Sequence, residues 1–161
     1  MNSLQGKTAL ITGAAQGNGL GIARVFAQKG ATVIMTDQDD KVFGSCELIK
    51  DESKAPGVFA YLMDVSNKKQ VADVISRYEE EIGTTDILVN NAGITKDGLM
   101  MRMSEGQWDA VLNVNLKSAF NFIHACTPVM MKQRAGSIIN MSSVVGVHGN
   151  AGQANYSASK A

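Results

Sequence analysis

Three side chains near the end of the sequence have the types and spacing that suit proton transfer. They are Ser143, Tyr156 and Lys160, and the last two are four residues apart. A helix therefore places the phenol and the ammonium on one face, one turn from each other. A neighbouring ammonium lowers the pKa of a phenol, which can then protonate a carbonyl oxygen when a cofactor supplies hydride. The hydroxyl of Ser143 would hold that oxygen. By itself, the Tyr-x-x-x-Lys spacing is also typical of surface pairs.

A glycine-rich segment near the start of the sequence is the candidate cofactor site. It lies between a predicted strand and a predicted helix and carries the pattern G-x-x-x-G-x-G. Glycines let the backbone approach a pyrophosphate, and the following helix offers free N–H groups to the anion. The candidate contacts in this segment are Gly13, Gln16, Gly17, Asn18 and Gly19. On this segment alone, a glycine-rich turn without a ligand is the alternative.

Asp37 makes the cofactor hypothesis more specific. It follows the second predicted strand, 18 residues after Gly19, where a carboxylate can accept hydrogen bonds from the adenosine ribose. The same carboxylate would repel the 2′-phosphate of NADP by about 4 kcal/mol at about 4 Å and an effective dielectric near 20, before screening. Gln16 supplies no compensating cation. We therefore favour NAD(H) and keep NADP(H) as possible, while a cap for the next helix is the alternative role of Asp37.

Two further turns follow predicted strands. Asp64 and Val65 are candidates to bind adenine, the carboxylate taking the amino group and the backbone N–H a ring nitrogen. A turn leading into a helix cap at Ser66 explains the same residues equally well. The Asn-Asn-Ala-Gly turn at 90–93 lies where open α/β sheets bind ligands, so we expect its asparagines to join neighbouring strands. The candidate cofactor contacts in this turn are Asn91, Ala92 and Gly93.

Short apolar segments alternate with amphipathic ones along the chain. The predicted strands are Thr8–Ile11, Ala31–Thr36, Val58–Met63, Asp86–Val89 and Ser137–Met141. Strands that are apolar on both faces suit a parallel sheet with helices on both sides. The alternation predicts an α/β fold, a doubly wound, Rossmann-like parallel sheet with strand order 3-2-1-4-5 and right-handed connections.

Three helices are predicted with recognisable ends. Asn67–Ile82 has apolar residues at helical spacing, with Ser66 as its N-cap. Ser104–Gln107 fits a capping box that opens a second helix. A long helix is expected from about Asn113 to Gln133, with Pro128 bending it or ending its regular part.

Composition argues against several classes of function. The formal net charge is zero and apolar residues make up 45% of the sequence, so no basic surface for nucleic acid is indicated. The longest apolar run, Val58–Met63, is too short to cross a bilayer, and the first strand leaves no room for a signal peptide. Cys46 and Cys126 form no C-x-x-C motif and are expected to be buried in a reducing compartment. His124 and His148 lack metal-like spacing. We expect a soluble, cytoplasmic protein without a metal site, nucleic acid or membrane.

The sequence ends one residue after Lys160. The last helix then has about two turns, and a helix of that length is marginal without packing. The strand–helix units that normally complete such a sheet are absent from the sequence. We therefore expect residues 1–161 to form a single dinucleotide-binding and catalytic domain whose C-terminal strands are missing.

Taken together, these motifs resemble the short-chain dehydrogenase/reductase family. The resemblance rests on Gly13/Gly17/Gly19, the 90–93 turn, Ser143 and Tyr156-x-x-x-Lys160, which occur in the family's order. It implies that Asn115 joins Ser143, Tyr156 and Lys160 in the catalytic group, bends the long helix and holds a water beside the lysine. It also implies that Lys160 binds the nicotinamide ribose. A homodimer or homotetramer formed through the long helix and the tyrosine helix is implied as well.

Within this family, the segments 98–120 and 142–161 are most similar to bacterial 3-oxoacyl-[acyl-carrier-protein] reductases. Such enzymes reduce a 3-oxoacyl thioester to the 3-hydroxyacyl form, which implies a small or carrier-protein-bound ketone as substrate. Arg134, with Lys132, matches a basic position that receives the acidic carrier protein, although a cation at a helix C-terminus is the alternative role. Dehydrogenation of another secondary alcohol, or cofactor binding without catalysis, are the other functions compatible with the sequence.

Two positions depart from the pattern of those reductases. Many of them have an arginine in place of Gln16, lack the acid at Asp37 and use NADPH, so both positions again favour NADH. Asn18 stands where the family commonly has an aliphatic residue beside the nicotinamide pocket.

Overall fold

The computed structural model of the protein describes residues 3–161. Its centre is a five-stranded sheet in the order β3-β2-β1-β4-β5, and every neighbouring pair is parallel. The strands are β1 (Thr8–Thr12), β2 (Thr32–Asp37), β3 (Val58–Leu62), β4 (Ile87–Asn90) and β5 (Ser137–Asn140). The predicted fold class and strand order are confirmed, and each strand end lies within one residue of its predicted position.

Helices connect the strands and cover both faces of the sheet. They are α1 (Gly17–Gln28), α2 (Lys41–Glu52), α3 (Lys68–Glu81), α4 (Glu105–Leu112), α5 (Ser118–Gln133), α6 (Val144–His148) and α7 (Ala154–Lys160). A 3₁₀ turn at Met100–Arg102 precedes α4, and a π-helical turn at Asn113–Lys117 joins α4 to α5. None of the helices within residues 3–161 is both long and apolar enough to span a bilayer.

The side chains of the central strands alternate between two apolar layers. On one face, Leu10, Ile34 and Leu88 pack with Tyr78 of α3 and Phe122 of α5. The other face contributes Ala9, Ile11, Val33, Met35 and Val89 to a layer shared with α1 and α2. Both layers are buried, which explains why these strands are nearly continuous apolar runs. The carboxyl ends of the central strands therefore follow segments that are packed on both faces of the sheet.

The N-terminus of α3 corrects one sequence prediction. The N-cap is Asn67, whose side-chain oxygen accepts hydrogen bonds from the backbone N–H groups of Lys69 (3.1 Å) and Gln70 (3.2 Å). Ser66 is not the cap, because its hydroxyl donates to Asp64 Oδ1 (2.7 Å) in the preceding turn. Both residue types favour N-cap positions, and the helix starts one residue later than predicted.

The predicted long helix is interrupted near its start. The capping box at Ser104 and Gln107 is confirmed, and α4 leads into the π-helical turn before α5 begins at Ser118. Pro128 lies inside α5 and does not end it. The helix stops at Arg134, whose left-handed backbone (φ 55°) forms the C-cap.

The β5 edge differs from the rest of the sheet. β5 pairs with β4 on one side and has no second neighbour among the described residues. All four of its residues are exposed, including Ile138 and Ile139 at 38% and 40%.

Candidate active site

A cavity of about 420 Å³ lies at the carboxyl ends of β1 to β4. It gathers ten of the residues predicted to bind a cofactor. They are Gly13, Gln16, Gly17, Asn18, Asp37, Asp64, Val65, Asn91, Ala92 and Gly93. Residues from four different loops therefore form one groove along the edge of the sheet, where open α/β sheets bind nucleotides.

The glycines of the first loop are needed for two separate reasons. Gly13 (φ 65°) and Gly17 (φ 57°) adopt left-handed backbone conformations, which glycine adopts without strain. Gly19 is buried against the loop, and a Cβ there would overlap the carbonyl oxygen of Gly13 and lie 2.7 Å from Asn91 Nδ2. Gly19 is not among the residues that line the cavity, and its predicted contact with the cofactor stays a prediction. Its lack of a side chain lets α1 pack against the loop.

The N-terminus of α1 offers an anion site to the same cavity. Its N-cap residue, Gln16, makes no side-chain capping hydrogen bond with any residue of 3–161, and the first turn carries no acidic residue. The first N–H groups of an α-helix have no acceptor within the helix. The positive end of α1 is thus available to a pyrophosphate at the cavity wall.

Asp37 is held in a fixed position at the cavity. Its Oδ2 accepts a hydrogen bond from the backbone N–H of Ala15 (3.0 Å), and its Oδ1 accepts one from Asp39 (3.1 Å). Ser45 Oγ in turn donates to the carbonyl oxygen of Ala15 (2.7 Å). Asp37 thus combines two roles, since it orders the loop and presents a negative charge to the cavity.

Two further residues beside Asp37 line the cavity without having been singled out in the sequence. They are Gln38 and Asp39. The backbone N–H of Lys41 donates to Asp39 Oδ1 (3.0 Å) and lowers the pKa of this carboxyl. Their position directly after a strand that ends at the ligand edge is the signal that identifies such residues.

The candidate adenine loop at Asp64 and Val65 is hydrogen-bonded to a side chain of α5. Asp64 Oδ1 accepts hydrogen bonds from the backbone N–H (2.9 Å) and hydroxyl (2.7 Å) of Ser66, so the turn itself is present although the helix cap is Asn67 and not Ser66. Asn121 is buried and its Nδ2 donates to the carbonyl oxygens of Val65 (3.2 Å) and Ser66 (3.4 Å). Asn121 was not predicted from the sequence. The adenine contacts of Asp64 and Val65 stay predictions.

The asparagines of the 90–93 turn join neighbouring strands, as expected. Asn90 Nδ2 donates to Asn140 Oδ1 (2.8 Å), which links β4 to β5. Asn91 Nδ2 donates to the carbonyl oxygens of Thr12 (2.9 Å) and Gly13 (3.1 Å). Thr12 Oγ1, which was not predicted from the sequence, accepts the backbone N–H groups of Asn91 and Ala92, each at 3.0 Å. These bonds hold the glycine loop against the end of β4.

Tyr156 and Lys160 both lie on α7, the last helix. Lys160 is 8% exposed and its Nζ donates to the carbonyl oxygen of Met141 (2.8 Å). Burial lowers the pKa of Lys160 because it disfavours the charged ammonium. A Cβ on Gly93 would lie 3.5 Å from Lys160 Nζ and 3.3 Å from Asn115 Oδ1. The catalytic helix and the cofactor cavity therefore meet at Gly93.

Asn115 sits in the π-helical turn between α4 and α5 and uses its whole amide group. Its Oδ1 accepts the backbone N–H of Ile94 (2.8 Å), and its Nδ2 donates to the carbonyl oxygen of Ile94 (3.0 Å) and to Ser159 Oγ (3.0 Å). Single π turns inside helices are common at functional sites. The bend and the bound water that the resemblance implies at Asn115 stay predictions.

Ser143 forms the N-cap of the short helix α6. Its Oγ accepts a hydrogen bond from the backbone N–H of Val145 (3.2 Å). A hydroxyl has one donor and two acceptor sites, so the cap leaves the hydroxyl hydrogen available for a substrate oxygen. The adjacent Ser142 donates to the carbonyl oxygen of Lys160 (2.7 Å) and so ties this segment to the end of α7.

Comparison with known proteins agrees with this arrangement. The family model of the short chain dehydrogenase matches residues 7–161.

The chain belongs to the short-chain dehydrogenase family.

Three relatives within the family are named 3-oxoacyl-[acyl-carrier-protein] reductase. The protein from Thermotoga maritima is 50% identical over 98% of this chain and 64% of its own length. The relative from Staphylococcus epidermidis is 46% identical over 96% of the chain and 64% of its own length. The relative from Chlamydia muridarum is 43% identical over the whole chain and 65% of its own length. The chain thus spans a little under two thirds of the length of these short-chain dehydrogenases.

A second cavity in this short-chain dehydrogenase, of about 730 Å³, lies between α5, β5 and the end of α7. It is mainly apolar, with Leu116, Phe120 and Ile123 on the α5 side, and Lys160 reaches its wall. Residues of the glycine loop do not line it. The smaller cavity, which contains the glycine loop and Asp37, is therefore the candidate dinucleotide site.

Other candidate reactive groups lie away from the two cavities or form no cluster. Cys46 and Cys126 are both buried, as predicted, and burial raises the pKa of both thiols, that of Cys126 to about 12. Within residues 3–161, no three His, Cys, Asp or Glu side chains come together in a group that would hold a metal ion.

Proposed function

We propose that this chain provides the cofactor-binding and catalytic part of an NADH-dependent 3-oxoacyl-[acyl-carrier-protein] reductase of fatty-acid synthesis. The observation that carries the proposal is the meeting of the two sites at Gly93, against which Lys160 Nζ and Asn115 Oδ1 both lie. The choice of a 3-oxoacyl thioester as substrate is supported by the relatives, which are named as reductases of 3-oxoacyl-[acyl-carrier-protein].

The residues of the catalytic helix suit one acid-catalysed reduction. When bound, a nicotinamide cofactor supplies the hydride that adds to C3 of the thioester substrate. Tyr156 donates its phenolic proton to the carbonyl oxygen, which gives the secondary alcohol. Ser143 donates a hydrogen bond to the same oxygen and stabilises its developing charge. Lys160, one helical turn after the phenol, binds the cofactor ribose. Asn115 keeps the π turn and the segment at Ile94 in place.

The charges around the ribose end of the cavity support NADH rather than NADPH. Asp37 is fixed by two backbone hydrogen bonds, and Asp39 adds a second carboxylate to the cavity wall. The nearby cation, Lys41, is engaged with Asp39 Oδ2 (3.3 Å). Gln16 brings no positive charge to the loop. A 2′-phosphate would therefore meet two carboxylates, whereas ribose hydroxyls can donate to Asp37.

The partners follow from exposed features of α5. Lys132 and Arg134 are exposed at its C-terminal end, where they would receive an acidic carrier protein. Phe120 of α5 is 56% exposed, and Leu116, in the π-helical turn directly before it, is 53% exposed, which supports burial of this region in a homodimer or homotetramer. The cytoplasmic location expected from the sequence stays a prediction.

The proposal is tested with the natural full-length protein and a short 3-oxoacyl thioester. We expect kcat/KM with NADH to exceed that with NADPH by at least about tenfold, because one unfavourable charge contact is worth about 1.4 kcal/mol or more. Equal or better turnover with NADPH would make the cofactor assignment wrong. Faster oxidation of a hydroxy acid, sugar or steroid would favour another dehydrogenase. Binding of NADH without turnover of any ketone would contradict the catalytic role.

A further inference from the structure

Two buried polar residues lie directly beside the catalytic pair on α7. Asn155 directly precedes Tyr156, and Ser159 directly precedes Lys160. Asn155 and Ser159 are therefore four residues apart, as Tyr156 and Lys160 are. Asn155 is fully buried and Ser159 is 7% exposed. α7 has only seven residues, and an isolated helix of this length is not stable. Contacts from outside the helix must therefore fix its position.

Asn155 ties α7 to two other parts of the site. Its Nδ2 donates to the carbonyl oxygen of Lys96 (3.0 Å), in the segment after β4, and to that of Gln107 (3.2 Å), in α4. An asparagine amide has two N–H donors, so both are used on backbone groups. Its Oδ1 accepts the backbone N–H of Tyr156 (2.8 Å).

Ser159 makes the corresponding connection one turn later. Its Oγ donates to the carbonyl oxygen of Tyr156 (2.8 Å) and accepts a hydrogen bond from Asn115 Nδ2 (3.0 Å). Asn115 is itself bonded to both backbone groups of Ile94. Through Ser159, α7 is thereby fixed to the π turn and to the segment that leaves the cofactor cavity.

We propose that Asn155 and Ser159 are positioning residues that set the rotation of α7 about its axis. Successive residues of a helix point about 100° apart. The direction in which Asn155 and Ser159 are held therefore determines the direction in which Tyr156 and Lys160 point. A displacement of about 1 Å at a reacting group can reduce the rate about a hundredfold. This inference rests on the proposed role of Tyr156 and goes beyond it, since it gives a role to two side chains that the proposed function does not use.

The experiment compares two serines on the same helix. Ser159→Ala removes the hydroxyl that bonds Asn115 Nδ2. Ser157→Ala is the matched control, because Ser157 Oγ is also buried but has no hydrogen-bond partner among residues 3–161. Ser159→Thr keeps the hydroxyl. All three variants are made in the natural full-length protein and assayed with NADH and a 3-oxoacyl thioester.

We expect Ser159→Ala to lower kcat about ten- to a hundredfold with the KM for NADH within about twofold of the parent value. The pH dependence of kcat should shift in this variant, whereas Ser157→Ala should keep the parental kcat and pH profile. Ser159→Thr should retain clearly more activity than Ser159→Ala. The positioning role would be overturned if Ser159→Ala, like Ser157→Ala, kept the parental kcat and pH profile and changed only the melting temperature.

Crystal structures of the two alanine variants supply a readout that does not depend on turnover. We expect the Tyr156 Oη to move relative to Gly93 Cα in Ser159→Ala and to keep its place in Ser157→Ala. An unmoved hydroxyl in Ser159→Ala would overturn the inference even if the parent enzyme is active. If the parent reduces no ketone, the proposed function fails separately, and these structures still decide whether Ser159 positions α7.

Discussion

The cofactor cavity and the catalytic helix are built in different ways. The cavity lies at the ends of strands such as β1 and β4, whose Leu10 and Leu88 are fully buried. The candidate catalytic helix, α7, packs on α4, α6 and the π-helical turn, and its Lys160 bonds Met141 just after β5, a strand whose Ile138 and Ile139 are 38% and 40% exposed. The candidate cofactor residues follow strands that are packed on both faces, and hydrogen bonds of Thr12 and Asn91 add to their position. The short helix α7 depends more on single buried side chains, those of Asn155 and Ser159. Substitutions should act through steric overlap or a lost charge in the first region, and through single lost polar groups in the second.

The largest effect is expected in the second region, from Tyr156→Phe. Removal of one hydroxyl should reduce ketone reduction by about a thousandfold, in the range typical of a lost general acid. NADH affinity should stay within about threefold, because the cavity at the glycine loop is unchanged. Steady-state kinetics and fluorescence titration with NADH measure the two quantities. Tyr61→Phe, on β3 outside both cavities, is the matched control, and unchanged turnover in Tyr156→Phe would contradict the assigned role.

The next largest effect is expected in the first region, from Gly19→Ala. The new Cβ would overlap the carbonyl oxygen of Gly13 and lie 2.7 Å from Asn91 Nδ2. We expect a loss of about 1–3 kcal/mol in the free energy of unfolding, as for other overpacked sites, and weaker NADH binding. Urea unfolding measures the first quantity.

Gly21→Ala is the control for that substitution on the same helix. A Cβ at Gly21 meets no heavy atom within 4 Å in the described chain, so this variant should gain about 0.5–1 kcal/mol from the better helix propensity of alanine. Equal stability of the two variants would show that α1 does not pack closely against the glycine loop.

A smaller effect is expected from Asp37→Ala, which changes the cofactor preference. Loss of the carboxylate removes the acceptor for the ribose hydroxyls and the repulsion of a 2′-phosphate. The ratio of kcat/KM with NADH to that with NADPH should fall about tenfold, in line with a hydrogen bond to a charged group. Asp40→Ala removes the same charge from an exposed residue outside the cavity and should leave the ratio unchanged. A similar fall in both variants would indicate a general charge effect.

The smallest effect concerns the stability of the protein at alkaline pH. Burial lowers the pKa of Lys160, so the unfolded chain binds more protons than the folded one between this lowered pKa and the ordinary value of about 10.4. Through Lys160, the folded state therefore gains stability as the pH rises through that window. Lys160→Met should lack this gain, which is measured as the parent–variant difference in urea unfolding at neutral and alkaline pH. A difference that does not change with pH would contradict the burial of the ammonium.

The sequence predicts the sheet and the backbone parts of the cofactor cavity well. The strands are short apolar runs that end at glycines, aspartates or asparagines, so their order and bounds follow from local pattern. The hydrogen bonds that we propose position Tyr156 and Lys160 are harder to predict from the sequence. Asn155 bonds Lys96, and Ser159 bonds Asn115, so each partner lies more than forty residues away along the chain. Polar side chains of this kind look like ordinary helix residues until the fold brings their partners opposite them.

The same reason explains Thr12 and Asn121, which were not predicted. Their partners come from β4 and from the loop after β3. The N-cap of α3 illustrates a local limit, because Ser66 and Asn67 are both good caps and only the packing of the turn at Asp64 selects between them.

The central claim is that the phenol of Tyr156 faces a carbonyl that receives hydride from a dinucleotide lying along the glycine edge. The most direct measurement is the reduction of a 3-oxobutanoyl thioester with NADH deuterated on one or the other face of C4. We predict that one stereoisomer places deuterium on C3 of the 3-hydroxy product and the other places none. Deuterium in neither product, or equally in both, would contradict a nicotinamide held in one orientation beside Tyr156.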